Sequence, residues 1–250
     1  MFAYRDNHAF HRNIATYFMK DDHDTLKNDS WPGQTYGDLT FQQGLDIFRE
    51  QVPMGDKTYR TQRWGQDVQV WMLEGRDYRT PNPRRDGPQK TLLGAKQKAW
   101  LLRTVAESNA TFKFVILPGP VVGPDKPGKK DNHANPAYAH EGAQLRTFLS
   151  SQPNTYVICG DRHWQYCSVD PETGLTELGT GSINDQHTFG GHPKEDPAYH
   201  RYFSPRGGFL GLTVKDRTAT ARWFSGGPLD PDTGQPQVLH TETFHAGDNE

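Results

Sequence analysis

Two short stretches of the chain hold side chains able to do chemistry together. Residues 17–28 read Tyr-Phe-Met-Lys-Asp-Asp-His-Asp-Thr-Leu-Lys-Asn, so an apolar run leads straight into Asp21, Asp22, His23 and Asp24. The run Tyr17, Phe18, Met19 has the look of a strand that delivers several hard oxygen donors and one imidazole to one point. Carboxylates suit hard or borderline cations, and an adjacent imidazole either ligates or moves a proton. If the backbone turns helical after Asp24, the amide of Asn28 comes back toward the cluster. The same residues also suit a plain polar turn, with Asp22 or Asp24 capping a helix start. Residues 154–164 read Asn-Thr-Tyr-Val-Ile-Cys-Gly-Asp-Arg-His-Trp. Here a β-branched, aromatic run over Thr155–Cys159 predicts a buried strand that Gly160 breaks. Asp161 and His163 then fall in the first turn past its carboxyl end, where open α/β sheets hold their ligands. A pair of Asp/His clusters at two strand ends favours a metal site over two unrelated structural turns.

The elements that must position these clusters alternate. A capping box at Thr40 and Gln43 starts a helix over residues 40–50, with Phe41, Leu45 and Phe48 on one stripe and Pro53 as its stop. Residues 68–73 read as a strand. Residues 93–109 read as the clearest helix, with Ala95, Ala99, Leu102, Val105 and Ala106 as its apolar face. Phe112–Leu117 is the next buried strand, and a short connection of this kind favours parallel pairing. A Pro/Gly/Lys-rich loop over 118–135 ends in Asp131-Asn132-His133-Ala134-Asn135, and loops of that length inside a domain are often functional. A helix over 140–150, with Leu145, Phe148 and Leu149 inward, leads to the strand before Asp161. Beyond Tyr166 the pattern changes to turns, a His-rich loop over 185–202 with His187, His192 and His200, and strands at 207–213, 218–224 and 238–244.

Taken together, these motifs resemble the PhoD-like (alkaline phosphatase D) family of metallophosphoesterases. The resemblance rests on Asp21-Asp22-His23-Asp24 followed by Asn28, and on Gly160-Asp161-Arg162-His163-Trp164. It extends through Leu93-Gly94-Ala95-Lys96-Gln97-Lys98-Ala99-Trp100-Leu101, through Pro118-Gly119-Pro120, and through residues 131–135. It implies a metallophosphatase-like layered α/β sandwich of mixed β-sheets flanked by helices. It also implies hydrolysis of phosphate mono- or diesters at a multinuclear site of divalent or trivalent metals, iron together with calcium. By the same resemblance Asp22, Asn28, Asp161 and His163 are metal ligands, and Asp22, His23 and His163 carry the catalysis, with His23 near the attacking or leaving oxygen. Asp21 orients other ligands, Arg76 and Arg79 face the substrate, and His133, placed by the long loop rather than by the resemblance, is expected at the metals or a substrate phosphate. The family carries two further motifs upstream of Asp-Asp-His, and about twenty residues precede Asp21 here. The expectation is therefore a single incomplete domain over residues 1–250, its first strands missing and its β-rich part at about 205–246. Gly55-Asp56-Lys57-Thr58-Tyr59 spells one of the missing motifs in the wrong place and reads as coincidence.

Composition fits this frame. Hydrophobic residues make up 33% of the chain, low for a large mixed sheet, while 18 Pro and 25 Gly indicate long ordered loops. A net charge of −2 with mixed signs leaves no electrostatic footprint for nucleic acid. Lys126, Lys129, Lys130, Arg84 and Arg85 read as solvated loop residues, though a phosphate-ester substrate would suit them. Cys159 and Cys167 form neither a C-x-x-C motif nor a disulfide framework. No apolar stretch has the length of a membrane span or an export signal, whereas relatives of the family are often exported. The rival expectation is a non-catalytic relative or partner domain with half a metal site, since affinity depends on the whole ligand set.

Overall fold

The apolar runs become a sheet because each alternates between two cores. The computed structural model describes residues 5–55, 57–183, 185, 188 and 194–247. Its elements are α1 (Arg5–Asn13), β1 (Thr35–Tyr36), β2 (Leu39–Thr40), α2 (Phe41–Gln51), β3 (Arg60–Trp64), β4 (Val68–Met72), α3 (Ala95–Ala106), β5 (Phe112–Leu117), α4 (Ala139–Ser150) and β6 (Thr155–Cys159). There follow β7 (Gln165–Val169), β8 (Thr176–Thr180), β9 (His200–Ser204), β10 (Gly208–Lys215), β11 (Thr218–Ser225) and β12 (Val238–His245). A seven-stranded mixed sheet runs β3-β4-β5-β6-β8-β7-β9, with β4, β5, β6 and β8 parallel and β3, β7 and β9 antiparallel to their neighbours. Trp71, Val115, Leu117 and Val157 face one core, shared with Leu101 and Val105 of α3 and Leu145 and Leu149 of α4. Val70, Met72, Phe112, Phe114, Tyr156 and Ile158 face the other, shared with Ala221, Trp223 and Phe244 of the antiparallel sheet β10-β11-β12. The period of 2 along each strand thus splits one sequence run between a helical layer and a second sheet. Among the described residues no helix is long and apolar enough to cross a membrane.

The structure departs from the sequence expectation in four places. Residues 17–19 form no strand: the Phe18 carbonyl accepts from Arg60 at 2.6 Å, and Tyr17 packs edge-on against Trp64. Strands β7, β8 and β9 extend the main sheet across a region that read as turns and loop, because Gln165, Ser168 and Glu177 are buried polar residues that interrupt the apolar pattern. Among the loop histidines, His200 sits in β9, while His187 and His192 lie outside the described residues, as does Asp56. The buried stripe of α3 is Gln97, Leu101 and Val105, whereas Ala95, Ala99 and Ala106 are exposed. Gln97 belongs inside because its amide closes the end of β4, accepting from the Glu74 N–H at 2.8 Å and donating to the Glu74 carbonyl at 2.8 Å. A polar residue in a core stripe is tolerated where every hydrogen bond is made.

A candidate metal centre

The carboxyl ends of β4, β5 and β6 lie side by side, so the segments that follow them meet: Glu74–Arg76 after β4, Pro118 onward after β5, and Gly160–His163 after β6. The turn after β6 is held open by backbone rather than by glycine. Gly160 continues the ladder, its N–H donating to the Pro118 carbonyl at 3.1 Å, and the left-handed residues are Asp161 (φ 59°) and His163 (φ 61°). Two non-glycine residues in this region each cost about 1 kcal/mol or more, strain of the kind that clusters at functional sites.

The Asp21–Asp24 stretch is a tight loop. The Thr25 and Leu26 N–H groups return to the Asp22 carbonyl at 3.0 and 2.8 Å, and Asp24 accepts from the Asp21 N–H at 3.0 Å. The Asp22 carboxylate accepts from the His23 N–H at 2.8 Å and from the Asp29 N–H at 2.7 Å. Each oxygen so engaged keeps a further lone pair. Burial would raise this carboxyl, but the Arg76 guanidinium at 3.6 Å and the two backbone donors bring it below its ordinary value. Helix α2 fixes the loop by lying directly on it: a Cβ at Gly44 would fall 1.7 Å from the Thr25 carbonyl oxygen. Gly44→Ala is expected to push α2 off this loop and lower stability by about 1–3 kcal/mol, read as a fall in thermal midpoint.

Asp21, Asp22, His23, Asp24 and Asn28 face Asp161, Arg162 and His163 across one cleft of about 390 Å³, with Lys126 and Lys129 of the long loop on its rim. Both motifs thus reach a single concavity. Two buried guanidiniums, Arg76 behind the cleft and Arg162 on its wall, divide the carboxylates. Arg76 pairs with Asp21, Asp22 and Asp131, and Arg162 pairs with Asp125 and Asp161 and lies 3.8 Å from Asp131. Asp131 is shared by the two clusters. Burial would raise its carboxyl, yet Arg162, Lys129 and Arg76 hold it down at about 2. Arg76 Nη1 and Arg162 Nε are buried without a hydrogen-bond partner among the described residues, so the wall retains spare donors.

Arg76, Arg79 and His133, expected at the substrate, do not line the cleft and are only 2%, 5% and 1% exposed. Arg79 donates to the Gly75 carbonyl at 2.6 Å and to Asn82 at 3.1 Å, and burial with the nearby Arg76 charge lowers it to about 10. His133 is turned to Glu141, Nε2 to Oε2 at 3.0 Å. Arg79 and His133 are thus engaged with the scaffold, while Arg76 is engaged with carboxylates and keeps Nη1 spare. Conversely Lys126 and Lys129, read as solvated, reach the rim, and Asp131 and Arg162 stand at the centre of the charge network. Their signal was positional: Arg162 lies between two candidate ligands, and Asp131 opens the run in which His133 drew notice.

The donor chemistry answers whether these residues suit a metal. Carboxylates, an amide oxygen and imidazoles around one cleft are the set that hard and borderline cations take. They fit a cation in kind. In number they fall short, since no group of three or more His, Cys, Asp or Glu side chains is drawn together closely enough to hold a metal ion among the described residues.

Known proteins resemble this chain in family and in fold. A family model described as PhoD-like phosphatase matches residues 3–217. The solved structure of PhoD aligns with a TM-score of 0.67 at 16% identity, over 90% of this chain and 52% of that one. The purple acid phosphatase PPD1 from yellow lupin (Lupinus luteus) seeds aligns with a TM-score of 0.60 at 11% identity, over 90% of this chain and 39% of that one. At these identities the likeness is one of fold, that of a layered metallophosphatase sandwich. The chain spans about half the length of the PhoD structure. No curated protein matches.

Proposed function

We propose, from the premise that this chain belongs to the PhoD-like phosphatase family, that it is a metal-dependent hydrolase of phosphate mono- or diesters. The observation that carries the reading is that Asp22, His23 and Asn28 from one motif and Asp161 and His163 from the other border one cleft. In this reading Asp22, Asn28, Asp161 and His163 hold the cation, and the resemblance points to iron with calcium. A cation held there supplies positive charge to the phosphoryl oxygens and acidifies water. The remaining work belongs to the chain. His23, exposed on the cleft wall, holds or hands over a proton at an oxygen of the scissile bond. Lys126 and Lys129 offer charge to the phosphate, and Arg76 keeps Asp21, Asp22 and Asp131 in place.

The test compares metal content by elemental mass spectrometry and turnover of bis(4-nitrophenyl) phosphate for the wild type and Asp161→Ala. Retained metal that is lost in the variant, with at least about a tenfold fall in turnover, is expected when one ligand leaves a shared site. Helix content should stay unchanged. Equal metal retention in the two proteins would sink the assignment. A wild type that keeps no metal would favour the rival reading, a half-site in a binding or partner domain.

A further inference from the structure

A larger cleft, about 620 Å³, lies beside the first, and Lys129 lines both. Its charge is lopsided for a chain of net charge −2: Arg84, Lys90, Lys129 and Lys130 border it, against the one carboxylate of Asp29. Asp29 is already paired with Lys129 at 2.8 Å. The floor is rigid. Lys90 is buried, its Nζ donating to the Asn82 and Arg84 carbonyls at 2.8 and 2.6 Å and lying 4.2 Å over the Tyr138 ring. Asn82 is buried too, donating to the Asp29 carbonyl at 3.0 Å and accepting from Tyr138 at 2.9 Å. The side chains of Arg84 and Lys130 are exposed and enter no ion pair among the described residues. The half-buried indole of Trp31 supplies a flat apolar wall, opposite in chemistry to the lysines. The volume lies in the range that encloses an organic ligand.

We propose that this second cleft holds the non-reacting part of the substrate, and that this part is a planar ring bearing its own anionic group, as in nucleoside or aryl phosphate esters with a second phosphate or carboxylate. The inference rests on the phosphoesterase reading for the neighbouring cleft, and Lys129 is the residue that touches both portions. A ring on Trp31 and an anion on Arg84 and Lys130 use the two chemistries that the wall offers and that a small aliphatic ester would leave unmet.

The experiment is isothermal titration of the 250-residue chain with adenosine 3′,5′-bisphosphate, propane-1,3-diyl bisphosphate and inorganic phosphate. The wild type should bind the adenosine compound at least about tenfold more tightly than inorganic phosphate, since ring stacking and a second anion add to one phosphate contact. The double variant Arg84→Glu/Lys130→Glu should weaken both bisphosphates by about tenfold and leave inorganic phosphate unchanged. Trp31→Leu should weaken the adenosine compound alone, by about fivefold. Circular dichroism checks that Trp31→Leu is folded, and the double variant at exposed positions carries the test if it is not. Affinity for adenosine 3′,5′-bisphosphate that is absent, or indifferent to the charge reversal, overturns the proposal. Loss of phosphodiester turnover with this binding pattern intact would sink the phosphoesterase reading and uphold the subsite. Turnover intact with the pattern absent would sink the subsite alone.

Discussion

Replacing Glu177 by alanine is expected to lower the stability of the fold by about 4 kcal/mol or more, a loss large enough to see without extrapolation in urea unfolding. Glu177 is fully buried in β8, and both carboxylate oxygens are engaged. Oε2 accepts from the N–H groups of Val121 and Val122 at 2.6 and 3.0 Å, and Oε1 accepts from Gly123 N–H at 3.0 Å and from the Tyr166 hydroxyl at 2.8 Å. Burial pushes its carboxyl up, and the donors work against that rise. Truncation would leave the three backbone N–H groups buried with no acceptor, the Tyr166 hydroxyl keeping only Cys159 Sγ at 2.9 Å, and each such orphan costs about 1–3 kcal/mol. The damage should be local before it is global, because Val121–Gly123 begins the loop that carries Lys126 and Lys129 to the cleft and Asp125 and Asp131 to Arg162. Limited proteolysis should therefore cut the variant near Lys126–Lys130 under conditions that leave the wild type whole. Glu177→Gln, which keeps one acceptor oxygen, should lose less. A loss under about 1 kcal/mol for Glu177→Ala would mean that the loop finds other acceptors.

This carboxylate marks where sequence reading reached its limit. The strands over Phe112–Leu117 and Thr155–Cys159 were legible because both of their faces are buried, so no polar residue breaks the run except Lys113 and Thr155 at the ends. Their β-α-β linkage and parallel pairing follow from the helices between them. The capping box of α2 was equally plain, with Gln43 N–H to Thr40 Oγ1 at 3.2 Å and Thr40 N–H to Gln43 Oε1 at 2.9 Å. Strands β7 and β8 were hidden because Gln165, Ser168 and Glu177 are buried polar residues, of which Glu177 serves the long loop and Gln165 the second sheet. Gln165, for instance, donates to the Phe224 carbonyl at 2.9 Å. Periodicity counts apolar residues, and it misreads a core position whose task is to satisfy a distant backbone.

The residues that border the cleft were legible in the sequence, and their charge partners were not: the Asp/His clusters at 21–24 and 161–163 both line it. Which arginine neutralises which carboxylate depends on residues far apart in sequence, as Arg76 does with Asp21 and Asp131, and no local spacing encodes that. The same holds for the basic loop residues. Lys129 lies among prolines and glycines, yet it pairs with Asp29 at 2.8 Å across a hundred positions of chain. The family resemblance put Arg76 and Arg79 at the substrate, and the long loop put His133 there; all three are buried and do not line the cleft.

The stability of this arrangement should fall steeply in acid, and Glu141 should account for a measurable share. Glu141 is buried in α4 and ties three segments together: Thr91 donates to Oε1 at 2.6 Å, Leu92 N–H to Oε2 at 2.5 Å, and His133 Nε2 lies 3.0 Å from Oε2. Burial on its own would raise the carboxyl, but the hydrogen bond and charge of His133, with the Thr91 and Leu92 donors, outweigh it and hold Glu141 at about 2 against an ordinary 4.5. A folded value below the unfolded one means that the ionised form stabilises the native state. That contribution is complete above about pH 4.5 and is lost as pH falls toward 2. The difference corresponds to on the order of 3 kcal/mol. Glu141→Gln has no such titration, so the gap in unfolding free energy between wild type and variant should be widest near neutrality and close progressively below pH 4.5. A gap that stays constant from pH 7 to pH 3 would show that Glu141 acts by shape and neutral hydrogen bonding alone. Since His133 leads directly back to Asp131, a closing gap would also tie acid sensitivity of the cleft to the helix that braces it.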